Sequence, residues 1–326
     1  MQIEKLVVAA IQMVSSAHLQ DNLTRASTLI AQASQQGAKL ILLPEYFCMM
    51  GMHDKDKFAI RERLNQIDEK KSYLNTSANI QHPKGVIPSP CTPIQNMLAS
   101  QAAKHGIWLI GGTIPLVSDD DPNKVRNTSL VYTPQGQLFG IYDKIHLFRY
   151  NSTPSLDIKK IANDATVPQS TQANVKGTTV FDETRTIVPG KNPVALTLAM
   201  QSGTLRLGLS ICYDLRFPEL YRQLNAHEPL DLIVIPAAFT DTTGKAHWEI
   251  LLRARAIENQ CYVLAAAQGG YHQNGRHTWG HSMLISPWGE IIAQHAEGEG
   301  IAIGEIDANY LAMIRAQLPA LQHRLL

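Results

Sequence analysis

Arg206–Leu224 reads RLGLSICYDLRFPELYRQL: an apolar strand that runs out at Cys212, then a helix that starts within a few residues. Pro218 fits the first turn of that helix, where its missing N–H would have no partner in any case. A strand passing directly into a helix is the repeating unit of α/β sheets. The same alternation extends outward in both directions. Upstream, LVVAAIQM (Leu6–Met13) is a continuous apolar strand of the kind covered on one or both faces. Leu23, Ala26, Ile30 and Ala33 recur at helical spacing, and Gly37 stands where that helix should stop. LILLP (Leu40–Pro44) reads as the second strand. Ile94, Leu98 and Ala102 mark another helix, ended by Gly106, and IWLIGGTIP follows as one strand. SLVYT and LFGIYDK flank Pro134-Gln135-Gly136, a hairpin turn. Downstream come a strand at DLIVIPAAF (Asp231–Phe239) and a helix at HWEILLRARAIENQ (His247–Gln260). The strands CYVLAAAQ, HSMLISP, EIIAQ and IAIGEI follow, and then a helical tail from Asn309 to Leu326.

Helices and strands interleave without a break in composition or a repeat, so residues 1–326 are expected to form one α/β domain of layered sheets. Two segments interrupt the rhythm. Glu69–Pro93 is polar and contains Pro; Arg149–Thr179 is rich in Ser, Thr, Asn and Gln. The second is expected to be an active-site insertion at about residues 149–180, either an ordered lid or a disordered loop. With 326 residues, 44% of them hydrophobic, the chain can bury a large core. A formal net charge of +1, from 29 basic and 28 acidic residues in no like-charged block, gives no reason to expect a nucleic-acid or membrane-surface partner. Met1–Val8 lacks the pattern of a secretory signal, and no apolar run approaches the roughly 20 residues of a membrane span. A cytoplasmic protein with reduced thiols is the expectation. The four cysteines, Cys48, Cys91, Cys212 and Cys261, form no CxxC pair or disulfide framework.

Four positions carry chemistry. Cys212 lies at a strand-to-helix turn, where backbone N–H groups can lower a thiol pKa from its usual value of about 8.5 and can hold an oxyanion; a buried structural cysteine is the alternative. Glu45 follows LILLP, at the carboxyl end of a buried strand where open α/β sheets place their sites. It is either a base with a raised pKa or a solvated loop acid. Lys144, between LFGIYD and IHLF, needs a partner if buried, and reads as an oxyanion donor or one half of an ion pair. Glu183 in FDETRTIVPG can position substrate or partner Lys144. His272, His277 and His281 sit in a Gly-containing stretch that reads as a solvated loop, and no HExxH or paired CxxC is present, so no metal is expected. Asn127-Thr128-Ser129 matches a glycosylation sequon without a secretory context to give it meaning. Arg216, Arg253 and Arg255 can pair with acid groups of a ligand, but structural salt bridges within RFPEL and RARAIE are the expected use. Cys48 is assigned no role beyond filling space.

Taken together and in order, LLPEYF, YDKIHLF, DETRTIVPG and ICYDLRFPEL resemble the nitrilase superfamily of carbon–nitrogen hydrolases. The resemblance runs from LVVAAIQM to the strand near IGEID. It implies a nitrilase-like four-layer α-β-β-α sandwich, a homodimer or larger homo-oligomer, and no cofactor or metal. By position it implies that Glu45 is the base, Lys144 the lysine, Cys212 the nucleophile and Glu183 the additional glutamate, with the backbone N–H of Tyr213 at the oxyanion. HWEILLRARAIENQCYVLAAAQGG and GHSMLISPWGE look like the Nit branch, and within it the amidases of deaminated glutathione. The implied reaction is hydrolysis of a small non-peptide amide through a Cys thioester. Alternatives on the same fold are ω-amidase, N-carbamoyl amidase or acyl transfer, or a non-catalytic scaffold. The chain departs from the family in the extra length between Phe148 and Phe181, next to the expected site.

Overall fold

Alternation along the strand Lys5–Gln12 decides how the layers stack. Val8 and Ala10 enter one buried cluster while Ala9 and Ile11 enter another, because successive strand side chains face opposite ways. Leu40–Leu42 and Trp108–Ile110 divide the same way: Leu40, Leu42, Trp108 and Ile110 on one face, Ile41 and Leu109 on the other. The second face packs on helices α1 (Leu19–Gln35) and α2 (Pro93–His105) through Leu23, Ala26, Ile30, Ala33, Ile94, Leu98 and Ala102. The first face packs against a second sheet, whose other side carries α3 (Pro218–Leu224) and α4 (Asp241–Asn259) through Leu220, Leu224, Trp248 and Leu252. The result is a four-layer α-β-β-α sandwich, seen in a computed structural model that describes residues 5–65, 92–152, 179–201 and 203–325.

The first sheet runs Gly300–Asp307, Lys5–Gln12, Leu40–Leu42, Trp108–Ile110, Val125–Tyr132, Ile114–Val117, with Leu138–Asp143 also paired to Val125–Tyr132. The second runs Ile291–His295, Ser282–Ile285, Tyr262–Ala267, Leu232–Ala237, Gly203–Leu209, Ala195–Met200. Each holds three neighbouring parallel strands: Lys5–Gln12, Leu40–Leu42 and Trp108–Ile110 in one, Gly203–Leu209, Leu232–Ala237 and Tyr262–Ala267 in the other. A lone parallel bridge joins Met13 to Gln268, each the residue just past its strand. The carboxyl ends of both parallel sets therefore meet at one end of the molecule, where such sheets place their ligands. Leu40–Leu42 leads there to Glu45, and Gly203–Leu209 to Cys212.

Several elements differ from expectation. IWLIGGTIP is two strands, Trp108–Ile110 and Ile114–Val117. The chain turns at Gly112, whose φ is 51° and where an added Cβ would lie 2.1 Å from the carbonyl oxygen of Pro44. Only glycine lets the backbone approach the residue before Glu45 that closely. Helix α4 starts at Asp241, well ahead of His247, because Thr240 caps it by accepting from Thr243 N–H. The histidine-containing stretch is a hairpin of Gly269–Tyr271 with His277–Trp279. RLGLSICYD leaves the sheet after Leu209, and the C-terminal helix α5 spans Ala308–Gln317 and stops short of Leu326. Of the expected insertion, the flanks Arg149–Ser152 and Thr179–Asp182 pair antiparallel. Residues 153–178 lie outside the described residues, as does 66–91 in the polar segment. Among the described residues no helix is long and apolar enough to cross a membrane.

Candidate active site

At Cys212 the backbone takes φ 49°, a left-handed conformation that a residue with a Cβ adopts only where its surroundings hold it, at a cost of about 1–3 kcal/mol. Asp214, fully buried, does much of the holding. Its Oδ2 accepts from Ile211 N–H at 2.9 Å and from the Tyr142 hydroxyl at 2.7 Å. Its Oδ1 accepts from His146 N–H at 2.9 Å and lies 2.7 Å from His146 Nδ1. Tyr142 and His146 bracket Lys144 in sequence, so one carboxylate ties the cysteine turn to the lysine segment. Asp214→Ala would strand Ile211 N–H and the Tyr142 hydroxyl in a buried space. We expect a loss of about 3 kcal/mol or more in urea unfolding, because orphaned buried donors forfeit their full desolvation energy.

Four side chains converge at the strand ends. Lys144 Nζ donates to Glu45 Oε1 at 2.9 Å and lies 2.8 Å from Glu183 Oε2. Cys212 lines the same cavity as Glu45 and Lys144, and the charges of both act on its thiol. Glu45 and Lys144 are each 1% exposed, and Cys212 8%. Asn127 holds both partners: its Nδ2 donates to Glu45 Oε1 at 2.9 Å, and its carbonyl accepts from Lys144 N–H at 2.9 Å. Glu183 Oε1 accepts from the Tyr46 hydroxyl at 2.8 Å, and Oε2 from Phe148 N–H at 2.7 Å. Gln268 Nε2 donates to the Glu45 carbonyl at 3.0 Å, across the junction of the two sheets.

Burial pushes the Glu45 carboxyl above its ordinary range, against the pull of the Lys144 ammonium. The Cys212 thiol is pushed well up by burial and by the Glu45 charge, so at rest it keeps its proton. For Lys144 burial works against the charge, but Glu183 and Glu45 outweigh it and hold the ammonium firmly protonated. Burial also opposes the Glu183 charge, yet Lys144 and the Tyr46 and Phe148 hydrogen bonds keep that carboxyl below its usual range. A protonated nucleophile, a carboxylate poised to take its proton and a fixed ammonium form a set suited to acyl transfer.

These groups open onto a cavity of about 700 Å³ that is also lined by Lys57, Phe148, Arg216, Phe239 and Arg276. Cys48 is not among its lining residues: it is buried in the cluster between sheet and helices, 3.8 Å from the Thr113 carbonyl. Arg253 and Arg255 do tie elements, Arg253 to Glu249 and the Gly289 carbonyl, Arg255 to Glu258 and the Leu215 carbonyl. Arg216 does not follow them. Among the described residues it has no carboxylate within 4 Å; it faces the cavity between the Tyr213 and Phe239 rings, with His247 Nδ1 at 3.3 Å. The three histidines have separate partners: His272 the Ser15 carbonyl, His277 Asp241, His281 the Trp279 carbonyl. Among the described residues no group of His, Cys, Asp or Glu is arranged to hold a metal ion. Asn127, Asp214 and Gln268 were given no place in the site from the sequence: Asn127 was read only as part of a sequon, and Asp214 and Gln268 offer only a polar side chain next to an apolar strand.

Comparison with known proteins places the chain in a family. A family model described as carbon–nitrogen hydrolase matches residues 7–316. The chain is 36% identical to a deaminated glutathione amidase of Synechocystis over 318 residues, covering 98% of this chain and 97% of that protein. It is 35% identical to the omega-amidase NIT2 of Danio rerio, covering 98% and 95%. Among solved structures, the NitFhit protein of C. elegans superposes with a TM-score of 0.74 at 31% identity, over 100% of this chain and 66% of that one. The chain belongs to the carbon–nitrogen hydrolase family, and is an amidase built on the nitrilase fold.

Proposed function

We propose that this amidase hydrolyses a small carboxylate-bearing amide through a thioester on Cys212, with deaminated glutathione as the leading substrate. The observation that carries the reading is the shared carboxylate: Glu45 is bonded to Lys144 Nζ at 2.9 Å and lines one cavity with Cys212, on whose thiol its charge acts. Glu45 takes the thiol proton as the sulfur attacks the amide carbon. Lys144 and the Tyr213 backbone N–H hold the oxygen as it becomes negative, a role whose loss costs about 10²–10³ in rate. The C–N bond then breaks, and the amine leaves with the proton from Glu45. Water gives a proton to the same carboxylate and attacks the thioester; the C–S bond breaks, the thiol regains its proton, and the acid product departs. Glu183 anchors Lys144 throughout.

The relatives' names separate two substrates, so the deciding experiment is a rate comparison on deaminated glutathione, α-ketoglutaramate and an N-carbamoyl amine. The reading predicts the highest kcat/KM on the first. A clear preference for α-ketoglutaramate would make the enzyme an ω-amidase, and hydrolysis of none would remove the reading.

We further propose a cytoplasmic, single-domain enzyme that works as a homodimer or larger assembly. Three thiols, Cys48, Cys212 and Cys261, are free, which suits a reducing compartment. Ile250 and Ile257 on α4 are 70% and 50% exposed, and Trp288, beside the Gly289 that packs on Ile257, is 54% exposed. Apolar side chains of that size on the outer layer suit burial against a second copy. Ile250→Glu is expected to lower the mass seen by light scattering to that of the monomer; an unchanged mass would move the interface elsewhere.

A further inference from the structure

Lys57 is the cavity cation whose environment is unfinished. It sits in the short 3-10 turn Asp56–Phe58, beyond the Glu45 loop, and lines the same cavity as Cys212. Among the described residues its one hydrogen bond is to the neutral hydroxyl of Thr186 at 3.1 Å, and the Tyr46 ring lies 5.8 Å away. Among the described residues no carboxylate comes within 4 Å of its Nζ. The other charges facing the cavity are accounted for. Arg276 is paired with Asp54 at 2.8 Å, Lys144 with both glutamates, and Asp182 lies between Arg149 and Arg185. Arg216 lacks a carboxylate too, but its guanidinium is covered by two rings and bonded to His247. Burial draws the Lys57 ammonium below its usual range; Glu183 and Asp54 favour the charge from a distance, while Arg276 and Lys144 oppose it.

A half-buried ammonium without a carboxylate partner gains from an anion at hydrogen-bonding range, and the open side here is the cavity itself. We propose that Lys57 is a specificity-determining residue that binds a carboxylate of the substrate, selecting anionic amides over neutral ones. The proposal rests on the amidase reading above and names which residue supplies the selection. Lys57 acts on no bond that changes; it fixes where the amide sits relative to Cys212.

The test is the ratio of kcat/KM for glutaramate to that for pentanamide, two amides of equal chain length that differ in a terminal carboxylate. The wild-type ratio should be well above ten. Lys57→Met, which keeps the aliphatic stem, should lower it about 10- to 100-fold, mainly through KM for glutaramate, and Lys57→Arg should restore much of it. A ratio unchanged in Lys57→Met, including a proportional loss on both amides, would overturn the proposal and leave the amidase reading standing. So would a wild-type preference for pentanamide. A wild-type enzyme inactive on every amide would remove both.

Discussion

Cys212→Ala is expected to abolish turnover, by a factor on the order of 10⁶, the size of loss seen when a hydrolase is deprived of its nucleophile. The reason lies in where bond formation occurs. With no sulfur, water must attack the amide directly, and the transition state at the Cys212 turn cannot form. Lys144, Glu45 and the Tyr213 N–H would still hold substrate, so binding should change far less than kcat. The fold should survive, since deletion of one small side chain beside an open cavity leaves little void. Unfolding in urea and steady-state kinetics on one amide check both halves. Appreciable residual hydrolysis by a folded variant would count against a covalent path. The other two free thiols among the described residues give no rescue. Cys48 and Cys261 are buried away from the cavity, and burial raises both; Cys261 is pushed up to about 12.

Glu45→Gln is expected to cost about 10²–10⁴ in kcat, the usual worth of a positioned general base. Here the loss should fall on both half-reactions. The resting thiol holds its proton because burial and the Glu45 charge raise its pKa, so attack needs a base in contact with it. Glutamine keeps the shape and can accept from Lys144, yet it can take no proton from thiol or water. Acylation and deacylation should therefore slow together. Rapid-quench measurement of amine release would resolve the first step and acid release the second. Unchanged steady-state turnover would take Glu45 out of the role.

Most of the architecture was legible in the sequence because strand and helix periods are local signals. Leu23, Ala26, Ile30 and Ala33 mark α1, and Gly37 and Gly106 stand where α1 and α2 end, with φ of 95° and 59°. What periodicity missed depends on distant contact. IWLIGGTIP is apolar throughout and reads as one strand; its division at Gly112 follows from the approach of Pro44, far away in sequence. Thr240 starts α4 by capping, where the apolar pattern is weak.

The site divides the same way. Glu45, Lys144, Glu183 and Cys212 each adjoin an apolar strand or a Pro-Gly turn, and their order carried the family resemblance. Asn127 stood out only as the first residue of a sequon, which says nothing of the contacts with Glu45 and Lys144 that set its structural place. Asp214 likewise reads as one more polar residue at the end of a strand, and only the approach of Tyr142 and His146 gives it work. Arg216 runs opposite to expectation because the described residues around it offer aromatic faces instead of a carboxylate.

The central claim is that an acyl group is carried on one sulfur, and peptide mass spectrometry of enzyme quenched during turnover tests it most directly. Wild-type enzyme is mixed with deaminated glutathione, quenched in acid at a series of early times and digested. The account predicts a mass gain equal to the acyl fragment, on the peptide containing Cys212, absent from a Cys212→Ala control. Turnover by the wild-type enzyme with no adduct at any quench time, or an adduct on a different residue, would contradict it.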